Sequence, residues 1–487
     1  SSNQLGTVRR TQGAKEQALI NKAINIEKKT KTAWLDVKKA YDSVSHRYIS
    51  HLLQKLQIPQ TFKKYIEKAM SNWSIHIKHR RKTIGEIQLT KGILQGDSLS
   101  PLLFVLVMEP LSRQLNSDSR ETNHLLYVDD IKLMADTEVG LKQLLRKTIQ
   151  HTGAMGLEIN RDKSATNTPQ CEGEYTKLLR EEEGYKYLGV YEDRDSQQTK
   201  ETKETVTAKI LKRVERLCDS SLNARNLTHA INEFAISVIN YYAGLVEYTE
   251  SEARELDKKI RGVLLRKKVH EKGAATERLY LPRRENGRGL RNVENQTELA
   301  MLGLWEHLQR RSERSDECKR VIATEERRST PLAKIKETLL VKYNETKTQA
   351  VLRRDTRRAI LEEYRGRAAL SKEEEDELQS LKDTTQETDA ELINQRWGRR
   401  QIVERQKAEL VRKITEKVLH RKSLITTDYI DTVDATLWLR HGNQSPQAEA
   451  RLVGVQDRNI VRTGKKCPHC RKGALAVEHL ATKCTTQ

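Results

Sequence analysis

Two adjacent carboxylates at the tip of an apolar hairpin constrain this chain more than any other feature. Leu125-Leu126 and Ile131-Lys132-Leu133-Met134 are strand-forming runs, and Tyr127-Val128-Asp129-Asp130 joins them. The pattern predicts strand, sharp turn, strand. Neighbouring acids repel, so such a tip gains little stability from them. A divalent cation is the simplest counter-charge. Taken alone, an Asp-Asp turn is also compatible with a purely structural role.

A third carboxylate sharpens the reading. Thr32-Ala33-Trp34-Leu35-Asp36-Val37 is an apolar, β-prone run broken by one acid, followed by Lys38-Lys39-Ala40-Tyr41-Asp42. Helical spacing of Ile49, Leu52, Leu53 and Leu56 predicts a helix beginning near Ser43. Two strands presenting Asp36 beside Asp129 and Asp130 would hold two Mg²⁺ ions roughly 3.5–4 Å apart, which suits in-line displacement at phosphorus.

Between these acids lies Gly92-Ile93-Leu94-Gln95-Gly96-Asp97-Ser98-Leu99-Ser100-Pro101. Glycines allow close backbone approach to a ligand, although the stretch is also compatible with an ordinary loop before a helix. Ser100-Pro101 predicts a helix start, with Ser100 as the cap. Leu102 to Met108 is apolar all round, which predicts burial under the sheet.

The order Asp36, then Gln95-Gly96-Asp97-Ser98-x-Ser100-Pro101, then Tyr127-x-Asp129-Asp130 resembles reverse transcriptases. Within them it is most similar to non-LTR (LINE-like) retrotransposons of the branch with a restriction-like endonuclease. Further segments carry the likeness: Asn3-Gln4-x-Gly6, Gly156-Leu157-Glu158-Ile159-Asn160-x-x-Lys163-Ser164, Tyr185-Lys186-Tyr187-Leu188-Gly189, and Leu279-Tyr280-Leu281-Pro282 through Gly287-Arg288-Gly289-Leu290. The resemblance implies an α+β fold. It would be a right-hand polymerase palm (an antiparallel sheet packed on helices) with truncated fingers, a helical thumb, a helical C-terminal region and a small zinc knuckle. It implies RNA-directed DNA polymerisation by two-metal nucleotidyl transfer, from a dNTP to a primer 3′-OH on an RNA template, in target-primed retrotransposition. The alternative is a non-catalytic RNA- or DNA-binding remnant of a retrotransposon polyprotein.

Residue roles carry over position by position. Asp36 and Asp129 match the Mg²⁺-binding aspartates, with Asp130 beside them. Tyr41 matches the aromatic ring under the incoming sugar, where it would clash with a 2′-OH. Gln95 and Gly96 match the turn lining the nucleotide pocket. Lys163 matches a lysine near the leaving pyrophosphate, able to donate a proton or supply charge. Tyr187, Leu188 and Gly189 match the hairpin that grips the primer end. Arg9 and Arg10 would partly replace basic residues of upstream finger strands that this sequence does not contain.

Cys467-x-x-Cys470, His479 and Cys484 offer three thiolates and an imidazole, a set that completes a tetrahedral Zn²⁺ site. His469 is a rival ligand, disfavoured by its place inside the Cys-x-x-Cys turn. Cys171, Cys218 and Cys318 are scattered and read as free thiols of a reducing compartment. Lys and Arg number 89 against 68 Asp and Glu, a net +21 that favours a polyanionic partner. Basic clusters such as Lys78-His79-Arg80-Arg81-Lys82 contribute to it. The expected partners are an RNA template, a DNA primer or target and dNTPs. No signal peptide or membrane-spanning run is found, which points to a nuclear or cytoplasmic ribonucleoprotein that is neither membrane-bound nor secreted.

The expected organisation is residual fingers at 1–25, palm at 26–192, thumb at 193–300, a charged helical connector at 301–455 and the knuckle at 456–487. A helix near Gln60 would carry Phe62, Tyr65, Ile66 and Met70. Ile75-His76-Ile77-Lys78 and Ile84 to Leu89 alternate as a hairpin. No endonuclease segment is found, so the sequence reads as part of a polyprotein or a degraded copy.

Overall fold

The computed structural model describes residues 3–117, 123–343, 375–376, 378–379, 399–417, 437–458, 466–471 and 484. Two compact units emerge: residues 1–204 with 308–328, and residues 205–307 with 329–487. The segment expected as a connector from 301 to 455 is therefore divided, its residues 308–328 belonging with the first unit.

The first unit is α+β. Helix α1 (Ala14–Glu27) precedes strand β1 (Lys31–Leu35), then come α2 (Ala40–Ser43), α3 (His46–Lys55) and α4 (Gln60–Ser71). A hairpin of β2 (Ser74–His79) and β3 (Lys82–Gln88) leads to α5 (Ser100–Ser117). Strands β4 (His124–Tyr127) and β5 (Asp130–Ala135) follow, then α6 (Glu138–Ala154). Short strands β6 (Ala165–Thr166), β7 (Lys177–Leu178), β8 (Tyr185–Tyr187) and β9 (Val190–Glu192) complete it. The main sheet has the order β4-β5-β1-β6-β7. Its pairings are antiparallel except β6 with β7, which is parallel.

Alternation sorts the central strands. Ala33, Leu35, Ile131 and Leu133 face a core built with Ile49 and Leu53 of α3, Ile66 and Met70 of α4, Leu103, Phe104, Val107 and Met108 of α5, and Leu141 and Leu145 of α6. Trp34 and Lys132, paired across the ladder, face the opposite way. One expectation needs correction, and one helix shows its buried face. Leu102 is 43% exposed, so α5 buries one broad face and not its whole circumference. On α4 only Ile66 and Met70 enter the core, whereas Phe62 and Tyr65 lie on the exposed side. Tyr65 falls off the i, i+4 line through Ile66 and Met70, whereas Phe62 lies on that line one turn earlier, in the first turn of the helix.

Helix α1 packs along a helix at Asp316–Arg327, also of the first unit. Lys22 and Glu325 form a buried ion pair at 3.0 Å, and Thr324 Oγ1 donates to Glu27 at 2.8 Å. The helix at Asp316–Arg327, expected as part of a connector, belongs to the first unit.

The second unit is helical. Val206, Ile210 and Val214 repeat at helical spacing and pack with Leu256, Ile260 and Val263. The stretch from Leu279 to Leu290 is a tight loop stitched by backbone bonds, with Gly289 N donating to Leu281 O and Leu290 N to Leu279 O, both at 2.8 Å. Two arginines of this region are buried against the helix Pro446–Arg458. Arg278 meets Asp457 at 2.5 Å with both side chains fully buried, and Arg288 meets Glu449 at 2.8 Å. Among the described residues no helix is long and apolar enough to cross a membrane.

Candidate active site

Strand β1 is buried through Ala33, Trp34 and Leu35, then breaks the surface at Asp36 on the sheet rim. Leu35 pairs with Ile131, so Asp36 and Asp130 extend from neighbouring strands on the same face. Tyr127 pairs with Asp130, leaving Val128 and Asp129 as a two-residue turn. Val128 takes φ 58°, a costly conformation for a β-branched residue. The N-terminal segment holds it there: Gln4 Oε1 accepts from Val128 N at 3.2 Å and from Gly6 N at 3.0 Å, and Leu126 N donates to Asn3 O. A Cβ on Gly6 would meet Val128 Cγ2 at 3.0 Å, so this close approach favours glycine.

The acids feel one another. Burial pushes the Asp130 carboxyl up to about 6, helped by the charges of Asp129 and Asp36. Burial also raises Asp129, its own backbone hydrogen bond opposes this, and Asp36 adds to the rise. Asn160 fixes Asp36 from behind, with Nδ2 donating to Oδ2 at 3.0 Å and its backbone N to Asp36 O at 2.8 Å. Ser164 Oγ accepts from Asp36 N at 3.0 Å.

These residues border a cleft of about 780 Å³ whose walls include Asp36, Asp129, Tyr41, Gln95, Asn160 and Lys163. Tyr41 stacks on Phe104 with ring centroids 4.9 Å apart. Its hydroxyl is raised by burial and by Asp129. Gln95 Nε2 donates to Asp42 Oδ1 at 3.2 Å. The loop carrying Gln95 is pressed against α2, with Gly92 N donating to Val44 O and Ile93 N to Tyr41 O, both at 2.7 Å. Gly92 has φ 90°, and a Cβ there would lie 2.8 Å from Asp42 O, so only glycine fits. Lys163 is an exposed member of the wall. Asp130, Gly96, Arg9 and Arg10 are not among the cleft-lining residues. Asp130 lies just behind the turn, and Arg9 and Arg10 are exposed on the segment before α1.

Tyr187, Leu188, Gly189 and Val190 do form a hairpin turn, with Leu188 at φ 45° and Gly189 at φ 83°. Tyr187 is buried beside Trp34, Ala165 and Leu179, so the half-buried Leu188 and Gly189 are the accessible part of the turn. Beneath it, Lys132 Nζ meets Glu192 Oε2 at 2.7 Å, with side chains 0% and 2% exposed. Trp34 Nε1 and Asn25 Nδ2 also donate to Glu192, at 3.1 and 3.3 Å. Tyr185 stacks on Trp34 at 5.2 Å, and its hydroxyl is raised by burial first, then by Asp130, Asp36 and Glu192. Gln4, Asn160, Tyr185 and the Lys132–Glu192 pair were not assigned to the site from sequence. Gln4, Asn160 and Tyr185 lie in segments that carried the resemblance without a role being given to them, and the signal for the pair was a lysine inside the apolar run Ile131 to Met134.

Sγ atoms of Cys467, Cys470 and Cys484 lie within 4.8 Å of one another, the Cys467–Cys484 separation being 3.8 Å. Such a trio can ligate a soft or borderline metal. His479, the expected fourth ligand, lies outside the described residues. Among the described residues, no other three His, Cys, Asp or Glu groups converge as tightly, so the three aspartates sit wider than the thiols.

Residues 2–191 match the family described as reverse transcriptase (RNA-dependent DNA polymerase). A stretch of 138 residues is 36% identical to the Pol polyprotein of retrotransposable element R2DM from Drosophila melanogaster, covering 27% of this chain and 13% of that protein. Another of 133 residues is 34% identical to the R2 polyprotein of Nasonia vitripennis, covering 26% of this chain and 13% of the relative. Apo telomerase from Candida tropicalis aligns over 66% of this chain and 56% of its own at 11% identity, with a TM-score of 0.31, too slight a likeness to build on. Residues 2–191 thus match the reverse transcriptase family, and the chain is similar over shorter stretches to R2 polyproteins, of whose first two relatives it spans only 13% of the length.

Proposed function

We propose that this chain is an RNA-directed DNA polymerase, extending a DNA primer on an RNA template with dNTPs. The observation that carries this reading is that Asp36 and Asp129 line one cleft with Tyr41, Gln95 and Lys163, with Asp130 on the neighbouring strand just behind the turn. The donor set suits Mg²⁺, since it is made of hard carboxylate oxygens, and Asp129 and Asp130, raised by burial first and by neighbouring charge second, gain from a divalent cation. Asp36, Asp129 and Asp130 would hold the Mg²⁺ ions, which when bound stabilise the attacking and leaving oxygens of phosphoryl transfer.

The remaining work falls to this chain's own side chains. Asn160 and Ser164 hold Asp36 in place, and Gln4 holds the Asp129 turn. Such positioning supplies much of the rate where the protein does little covalent chemistry. Tyr41, braced by Phe104, presents a flat ring to the sugar and disfavours a 2′-OH. Lys163 faces the same cleft as Asp36 and Asp129 and supplies positive charge to a triphosphate. Leu188 and Gly189 contact the primer end. Cys467, Cys470 and Cys484 bind Zn²⁺ with His479.

Primer extension on an RNA template with dNTPs and Mg²⁺ tests the reading, beside an Asp129→Asn/Asp130→Asn variant. Extension by the parent and loss in the variant is the expected result. Retained RNA binding without extension by either protein would overturn it in favour of a non-catalytic binding remnant.

A further inference from the structure

The β2–β3 hairpin is built at a cost to stability that its own fold does not explain. Every residue from Ile75 to Gln88 is exposed except Gly85, which is half-buried, so the ribbon buries almost nothing. It is anchored only at its base, where Leu89 N donates to Trp73 O at 2.9 Å and Gln88 Nε2 to Ser71 O at 2.7 Å. His79 pairs with Lys82, leaving Arg80 and Arg81 as the two-residue turn. Both have positive φ, 43° and 70°. Such turns favour Asn-Gly, because a left-handed conformation costs an ordinary residue about 1–2 kcal/mol. Two arginines at these positions break the local rule with no packing gain in return. Broken local rules of this kind concentrate at functional sites.

The tip is also electrostatically unbalanced. Lys78, Arg80, Arg81 and Lys82 stand together, and among the described residues no carboxylate pairs with any of them. On one face of the ribbon Ile75 and Ile87 lie directly opposite each other, with Ile77 next along the strand. They remain 47%, 51% and 42% exposed. Gly85 opposite Ile77 leaves that face narrow near its outer end. An unpaired cationic tip seeks phosphates, and an aliphatic face seeks apolar surface next to them.

We propose that the β2–β3 ribbon is a second nucleic-acid site, separate from the polymerase cleft, that docks in the major groove of duplex DNA. Shape selects the occupant. The B-form major groove is about 12 Å wide and admits a two-stranded ribbon, and thymine methyl groups line its floor for contact with isoleucine. The A-form RNA major groove is too deep and narrow for side chains to read. Arg80 and Arg81 reach the phosphates on the groove walls. The ribbon's outgoing strand leads within a few residues to Lys91 on the cleft wall, so DNA held by the ribbon is tethered beside the cleft.

The test replaces the tip with the turn that stability prefers, Arg80→Asn/Arg81→Gly, so that lost binding cannot be assigned to unfolding. Anisotropy of a labelled 30-base-pair AT-rich duplex is measured across a KCl series. Each lost phosphate contact weakens binding about eightfold at 0.1 M salt, roughly sixtyfold for two, and the slope of log K against log salt becomes shallower by about 1.8. That result, with extension of a pre-annealed RNA template–DNA primer unchanged, supports the proposal. Unchanged duplex binding with weakened RNA binding overturns it in favour of an RNA site. No change in either points to a protein partner and also overturns it. Loss of primer extension along with duplex binding would place the ribbon in the cleft's own grip and refute a separate site. An equal loss from Lys142→Ala/Arg146→Ala, two exposed cations on α6, would refute a specific role for the tip. Duplex binding is read directly, so an inactive cleft leaves this test intact.

Discussion

Replacing Lys132 by methionine should destabilise the first unit by about 3 kcal/mol, the low end of the roughly 3–5 kcal/mol expected when one partner of a buried ion pair is removed. Methionine fills the space of the lysine stem between the rings of Trp34 and Tyr187, whose centroids lie 5.3 and 5.4 Å from Nζ. Packing is thus largely kept and the loss is electrostatic. It leaves Glu192 as an uncompensated carboxylate, 2% exposed. The donors from Trp34 and Asn25 remain and soften the penalty. For a unit of this size a urea slope of about 2–3 kcal/mol per M converts the loss to a midpoint lower by roughly 1 M. Tryptophan emission follows the transition, since Trp34 sits in the network itself. The double variant Lys132→Met/Glu192→Gln removes both charges and keeps an acceptor for the donors, so it should recover most of the loss. An unchanged midpoint in the single variant, or a double variant as unstable as the single, would refute the assignment of this pair as a stabilising brace.

Asp257 sets a pH dependence in the second unit. Burial pushes its carboxyl up to about 7, while the backbone N–H of Val293 pulls the other way. A folded value above the ordinary one means that its contribution is full at low pH and is lost as pH rises through about 7. Melting temperature should therefore fall between about pH 4 and 7 and level off above that, and Asp257→Asn, which can still accept from Val293 N, should flatten that fall; a parallel fall in both proteins would contradict it. For the cysteine cluster, elemental analysis should find about one zinc per chain and markedly less in Cys467→Ser, whereas equal zinc in both proteins would remove Cys467 from the site.

Much of the site was legible because its chemistry interrupts a simple pattern. Asp36 ends an apolar strand and Asp129-Asp130 sit at the tip of another pair, so alternation puts each acid at a strand end; that the ends share one rim was implied by the resemblance and follows from the β1–β5 pairing. The β2–β3 hairpin was equally readable from its alternation. What was not legible depends on partners far apart in sequence. Lys132 reads as an anomaly in an apolar strand until Glu192 is brought beneath it. Asn160 stands in a motif that carries the resemblance, but its role shows only when it is seen behind Asp36. The exposed side of α5 was missed because an apolar residue on a helix says which faces could be buried, and only the packed sheet says which one is. Residues 316–327 bury Cys318, Val321 and Thr324 at helical spacing, but that α1 is their partner is fixed by ion pairs and hydrogen bonds that carry no periodic signal.

Arg278 and Asp457 meet in full burial although 179 positions separate them along the chain. During synthesis at roughly 5–20 residues per second, Arg278 waits on the order of 10–35 s for its partner to be made. Over that interval the helical unit carries an unmatched guanidinium where its interior will close. Completion of this unit is thus timed by translation, and a nascent chain halted before residue 457 would expose a surface that chaperones recognise.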